Sequence, residues 1–272
     1  MRVLIHLSDI HFGRVDAQLI DPLIHTINEI KPHLVAVSGD LTQRARSNEF
    51  KAARAFLDSL PHPQIVVPGN HDVPLHNPFS RFLQPLEKYQ RFITADLRPF
   101  YGDDEIAVVG VNTARSFTIK SGRVNRSQIE WMRHKLAEFA DQVTKIVVTH
   151  HPFDLPEGHD EGDLVGRSQA AMEALASCGA DLFLAGHLHV SRTSHTAKRY
   201  KIHGHSALVV QAGTAASTRF RGEANSFNVI RIAHLRIVVE RLEWQPEVAS
   251  FSATTTESFV HTDDGWAREE AE

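Results

Sequence analysis

Eight side chains able to bind a metal or move a proton stand in five short blocks: Asp9 and His11 in "SDIHFG", Asp40 in "SGDLT", Asn70 and His71 in "PGNHD", His150 in "VVTHHP", and His187 and His189 in "AGHLH". Imidazole, carboxylate and amide oxygen, with no thiolate among them, form a donor set suited to Mn, Fe, Zn, Co or Ni. Counted as ligands, Asp9, His11, Asp40, Asn70, His150, His187 and His189 exceed the three or four protein ligands of a mononuclear catalytic site. Two ions sharing one carboxylate account for the number. Each block alone has an ordinary reading as cap or turn chemistry. Their repetition after separate apolar runs is what points to a metal site.

Those runs read as strands: "RVLIHLS" from Arg2, "HLVAVSG" from His33, "QIVVPG" from Gln64, "IAVVGVN" from Ile106, "KIVVTH" from Lys145, "LFLAGH" from Leu182 and "ALVVQAG" from Ala207. Helix-period segments lie between them at about 17–30, 48–60, 80–95, 127–139 and 168–178, with Ser47 and Ser127 as expected N-caps. Strands alternating with helices predict an α/β fold with crossovers. In such sheets ligands bind at the carboxyl edge, where residues distant in sequence converge. Asp9 and His11, like His187 and His189, are two residues apart, a spacing that in extended chain turns both side chains to one face. Gly39, Gly69 and Gly186 precede Asp40, Asn70 and His187 and leave room for sharp turns.

"FNVIRIA" and "LRIVVERLEW" read as an antiparallel pair with one solvated face. Beyond Trp244 the alternation fails. The expected organisation is therefore one domain over 1–245 and an acidic tail over 246–272, mobile or draped on the body. With 272 residues, 42% hydrophobic and 23% charged, the chain can bury a large core without staples. Its single cysteine, Cys178, excludes an internal disulfide and suits a reducing, cytoplasmic setting. No run reaches the roughly 18 apolar residues of a membrane span. A formal net charge of −4 provides no general field for nucleic acid, so no stable nucleic-acid complex is expected.

In order, residue type and strand context the five blocks resemble the signature of the calcineurin-like metallophosphoesterases, over about residues 1–235. Within that superfamily the chain is similar to the class III cyclic nucleotide phosphodiesterase and glycerophosphodiesterase branch, also through "VNTARSFTIKSGRVNRSQIEWMRHKL". The resemblance implies a four-layer αββα sandwich of two mixed sheets flanked by helices. It implies that Asp9, His11, Asp40 and His189 hold one metal, that Asp40, Asn70, His150 and His187 hold the other, and that Asp40 bridges them. It places His71 outside the coordination sphere, against the substrate phosphate, and leaves His151 as a neighbour without a role. Gln43 stands where the Ser/Thr protein phosphatases of the superfamily carry an aspartate, which argues against that activity.

The function these resemblances imply is hydrolysis of small phosphodiesters, cyclic nucleotides or glycerophosphodiesters, by in-line attack of a hydroxide bridging two transition-metal ions, with Mn, Fe or Zn foremost. His71 is the expected catalytic residue, as general acid to the leaving alkoxide; its alternative is a supporting hydrogen bond alone. Asn112 either touches the phosphate or closes an Asx turn. Arg219 and Arg221 either clamp phosphate or are solvated. Asp72 is read as orienting the turn or His71. The competing functions are a broad phosphomonoesterase, a nuclease for short nucleic acids, and a scaffold of the kind found where the metal residues are lost. The analogy extends to a homodimer.

Overall fold

The computed structural model describes residues 1–75, 78–219 and 222–269. One sheet holds β1 (Arg2–Leu7), β2 (Leu34–Ser38), β3 (Gln64–Val67), β10 (Ser226–Ala233), β11 (Arg236–Gln245), β12 (Ser250–Thr262) and β13 (Gly265–Arg268), in the order β13-β12-β11-β10-β1-β2-β3. The other holds β4 (Phe100–Gly102), β5 (Ile106–Gly110), β6 (Thr144–Val148), β7 (Ala180–Ala185), β8 (Arg192–His195) and β9 (Leu208–Gln211), in the order β4-β5-β6-β7-β9-β8. β1, β2 and β3 run parallel, as do β5, β6, β7 and β9. All their carboxyl ends carry the loops that build the site.

Side-chain alternation along these strands creates three apolar layers. On β1, Val3, Ile5 and Leu7 face α1 (Ala17–Ile30), α2 (Ser47–Asp58) and α4 (Glu87–Phe92), packing with Leu19, Leu23, Phe50 and Tyr89. Leu4 on the opposite face joins Ala36, Ile146, Val148, Leu184 and Ile230 between the sheets. Beneath the second sheet, Val109, Val147 and Phe183 pack on α5 (Arg126–Ala137) and α6 (Ser168–Ala176) through Met132, Leu136 and Met172. Strands apolar on both faces are what a sheet covered on both sides requires, and the result is the expected αββα sandwich.

Several local expectations change. The helix expected over 80–95 is two short ones, α3 (Pro78–Leu83) and α4, because Pro85 lies between them and has no N–H to donate. α5 is capped by Asn125, whose side chain accepts from Gln128 N while Gln128 Oε1 accepts from Asn125 N; Ser127 is inside the helix. α2 starts after Arg46, with Glu49 accepting from the backbone of Arg44 and Arg46, so Ser47 is not its cap either.

The largest difference lies beyond Trp244. β12 pairs along β11 and β13 returns along β12. The mid-portion of β12 is exposed on both faces and rich in threonine, so it carries no hydrophobic alternation, yet its β-branched residues suit the pleat. Phe251, Phe259 and Trp266 are buried anchors, and Trp266 Nε1 donates to Asp181 Oδ1 at 2.8 Å, tying the last hairpin to the second sheet. Among the described residues no helix is long and apolar enough to cross a membrane.

At the end of the sandwich away from the site, Asp103 joins the sheets. Its carboxylate accepts from Arg2 Nε (2.8 Å), Tyr101 Oη (2.7 Å) and the backbone N–H groups of Glu105 and Ile106. Burial opposes ionisation, but these donors outweigh it and hold the carboxyl at about 2. An acid depressed on folding adds stability that is present above its unfolded value near 3.9 and lost as pH falls toward about 2. Asp103→Asn should lower unfolding free energy at pH 7 by about 1–2 kcal/mol. In urea titrations across pH, the gap to the parent should close between about pH 4 and pH 2; a pH-independent gap would refute the ionic origin.

Candidate metal centre

Five strand ends deliver the residues singled out by the sequence. Asp9 and His11 follow β1, Asp40 follows β2, Asn70 and His71 open a single 3₁₀ turn after β3, His150 follows β6, and His187 and His189 follow β7. Asp9 (φ 52°), His11 (56°), Asp40 (51°), His187 (73°) and His189 (58°) all lie in the left-handed region, which costs a side-chain-bearing residue roughly 1 kcal/mol or more. The pairs at i and i+2 thus meet through repeated left-handed turns, not through the extended chain that their spacing predicts. Glycines make the approach possible. A Cβ at Gly69 would overlap the Asp40 carboxylate, and one at Gly186 would overlap Ser8 Oγ and the Asp9 carboxylate.

Two donor groups result. Asp9, His11, Asp40 and His189 place one ligand atom each within 4.8 Å of one another, and His150, His151 and His187 do the same. Asn70 Oδ1 enters the second group, 3.0 Å from His150 Nε2 and 3.1 Å from His187 Nδ1. In the first, His189 Nε2 is 3.1 Å from Asp9 Oδ1 and 3.2 Å from His11 Nε2. Metal–ligand bonds of about 2.1 Å place neighbouring donors about 3.0 Å apart in an octahedron and about 3.4 Å apart in a tetrahedron. The observed spacings match. Asp40 lies between the groups, with Oδ2 3.7 Å from His11 Nε2 and Oδ1 3.5 Å from His150 Nε2. Asp9 Oδ1 and His11 Nδ1 are buried without a hydrogen-bond partner among the described residues, and an acceptor aimed at a cluster of imidazoles is what a cation would satisfy.

The charges have the matching bias. Burial pushes the carboxyls of Asp9 and Asp40 up, yet the surrounding histidines outweigh it and hold both below the usual carboxylate range. Burial depresses His189, but Asp9 overcomes that and raises it. His187 is lowered by burial.

Surrounding groups fix which ring nitrogen faces inward. His150 Nδ1 donates to Ser38 O (2.8 Å) and His189 Nδ1 to Arg219 O (2.9 Å), leaving each Nε2 for the centre. Asp163 stands 3.6 Å from His187 Nε2, which leaves Nδ1 inward. His151 has both nitrogens occupied, with Nε2 donating to Lys120 O (2.6 Å) and Nδ1 accepting from Thr113 Oγ1 (2.8 Å). Asn70 Oδ1 lies beside His150 and His187, and His151 pins the loop carrying Lys120 against the centre.

At the rim, His71 Nδ1 donates to Gln43 O (2.9 Å), and Nε2 accepts from Arg219 Nη1 (2.9 Å). Burial lowers the imidazole, and Arg219 adds to that. Among the described residues the Asp72 carboxylate makes no hydrogen bond to His71. Buried, it accepts from the N–H groups of Leu41, Thr42 and Gly69, and so locks the turn to β2. Its carboxyl is raised to about 6 by burial and by Asp40. Asn112 closes an Asx turn by accepting from Ala114 N (2.8 Å) and is not among the residues that line the cleft. Arg219 lines the cleft, while Arg221 lies outside the described residues. Lys120 and Asp163 also line the cleft. Lys120 lies within the 111–136 segment quoted above and Asp163 in a polar loop, and neither stands out there by type or spacing.

The cleft's chemistry agrees with what the chain resembles. It is 27% identical over 172 residues to a glycerophosphodiester phosphodiesterase of Enterobacter lignolyticus, covering 59% of this chain and 60% of that protein. It is 27% identical over 253 residues to a cAMP/cGMP dual specificity phosphodiesterase of Mycobacterium tuberculosis, covering 85% and 76%. Among solved structures, a dimetal phosphatase from Danio rerio shares the fold with a TM-score of 0.66 at 15% identity, covering 96% of this chain and 99% of that one. The family model described as calcineurin-like phosphoesterase matches residues 2–191, and the chain therefore belongs to the calcineurin-like phosphoesterase family.

Proposed function

We propose that the protein is a metal-dependent phosphodiesterase for small phosphodiesters, of the kind named for its glycerophosphodiester and cyclic nucleotide relatives. Asp9, His11, Asp40 and His189 would hold one ion, and Asp40, Asn70, His150 and His187 the second. The observation that carries this reading is Asp40, a carboxylate 1% exposed with one oxygen toward each donor group. When bound, the two ions supply the positive charge that stabilises the attacking and leaving oxygens of an in-line displacement at phosphorus. Mn, Fe and Zn suit the donors.

The chain's own groups do the rest. Arg219 and Lys120 bring positive charge to the cleft mouth, where a phosphate monoanion enters. Gln43 O keeps the His71 proton on Nδ1 and turns Nε2 to the cleft. Because Gln43 is neutral, no carboxylate braces the ring, and its burial keeps it unprotonated until a substrate anion lies beside it. Protonated at Nε2, His71 then hands its proton to the departing alkoxide. Overall a P–O bond to water oxygen forms as the P–O bond to the alcohol breaks, and the alcohol leaves neutral.

Two measurements test this. Elemental analysis should find two ions per chain, and Asp40→Ala should lose at least one while keeping the parent's circular dichroism; retention of both would remove Asp40 as the bridge. His71→Ala should cut kcat by about 10²–10⁴ on diesters with alkyl leaving groups, such as glycerophosphodiesters and 3′,5′-cyclic nucleotides. On bis(p-nitrophenyl) phosphate, whose leaving group needs no proton, the loss should be far smaller. Equal losses would reduce His71 to a phosphate contact, and p-nitrophenyl phosphate turnover above every diester would replace the diesterase by a monoesterase.

A further inference from the structure

A groove of about 300 Å³ opens beside the metal cleft and shares Asn70, His71, Lys120 and Arg219 with it. Its charge is one-sided. Arg44, Arg81, Lys120 and Arg219 line it and no carboxylate does, in a chain whose formal net charge is −4. The metal cleft, by contrast, includes Asp40 and Asp163 in its lining.

Arg81 is the least expected of the four. It is 7% exposed, and among the described residues its guanidinium donates only to carbonyls, those of Ser116 (2.7 Å), Pro74 (3.1 Å) and Thr118 (2.5 Å). No carboxylate lies within ion-pair distance of Arg81, Arg44 or Lys120 among the described residues. A buried cation without a counterion is costly, and several like charges around one concavity raise the local concentration of anions. Val73, Leu75 and Ile119 add an apolar lining, the last two 44% and 63% exposed.

The scissile phosphodiester has one negative charge, and the adjoining cleft already receives it. A cationic groove that adjoins this cleft and shares His71 with it, the group proposed to face the leaving oxygen, therefore addresses something further along the substrate. We propose that this groove seats the second ester group, and that favoured substrates are linear phosphodiesters whose second ester group bears an additional phosphate. The inference rests on the phosphodiesterase reading and narrows it. A cyclic diester has no separate second group, and an unmodified glycerol has no charge for the groove to hold. Short terminally phosphorylated oligonucleotides and phosphorylated glycerophosphodiesters both have the required chemistry; Leu75 and Ile119 face the organic part of either.

Binding separates this idea from catalysis. By calorimetry, adenosine 3′,5′-bisphosphate should bind at least tenfold tighter than adenosine 5′-monophosphate. The double variant Arg44→Ala, Lys120→Ala, with the parent's melting temperature, should bring that preference below threefold. In turnover, the kcat/KM ratio of pdApdA to dApdA, or of glycerophosphoinositol 4-phosphate to glycerophosphoinositol, should exceed ten and collapse in the double variant; the arm that responds identifies the source. Equal affinities in the parent protein, or a preference untouched by the double variant, would overturn the groove assignment. Intact binding preference with no diester turnover would instead overturn the phosphodiesterase reading alone.

Discussion

Two carboxylates with essentially no solvent exposure, Asp9 and Asp40, share one small volume at the meeting point of two sheets. In a medium of low dielectric, like charges so placed must be balanced or neutralised. The protein balances them mainly with imidazoles, which are neutral until protonated, and with single N–H groups such as His71 N to Asp40 Oδ1 (2.8 Å) and His187 N to Asp9 Oδ2 (2.9 Å). Remaining acceptors point inward, and a cation is the economical answer. The rest of the molecule holds this arrangement in place.

Holding it requires strain. Five of the gathered residues are left-handed although none is glycine, and isolated loops would relax out of that conformation. They do not because each turn leaves a strand whose flanking residues are buried on both faces. Hydrogen bonds then clamp the turns to one another: Asp72 ties the β3 turn to the β2 turn, and Asp9 N donates to Gly39 O. A support network outside the donors sets their tautomers, with Ser38 O, Arg219 O and Asp163 each assigned to one ring. His6 extends it into the interior, bonded to Ser38 Oγ at 2.9 Å and held neutral by burial. Removing one such support acts on a ring nitrogen and not on the fold.

On the proposed phosphodiesterase reading, selectivity belongs to the loops at the rim. Lys120 is carried by a loop fastened through His151, and Arg219 by a segment whose carbonyl orients His189. Both link positive charge at the cleft to the same elements that hold the candidate donors. A change of loop sequence can alter which ester is accepted while the centre stays intact, as expected when function resides in a site carried by a fold.

The donor residues were legible in the chain because each follows a strand whose apolar pattern is strong, and parallel strands must present their carboxyl ends together. The seven strands read from apolar runs, the helices near 17–30, 48–60, 127–139 and 168–178 and the β10–β11 pair were legible for the same reason, whereas the division into two sheets came from the family resemblance. β12 was not, because a strand solvated on both faces lacks alternation and is recruited by pairing with β11. Asn112 shows the limit for single residues: an asparagine at the right strand end spends its oxygen on its own turn. Lys120 and Asp163 show the converse, since ordinary loop residues gain meaning only when distant segments fold beside them. The sequence by itself determined the fold class and singled out the candidate donors, because hydrophobic period and residue chemistry are local properties. Which nitrogen of each ring faces inward, how Asp40 divides its oxygens and where unpaired cations gather depend on contacts between segments far apart in the chain, and only the tertiary structure decided them.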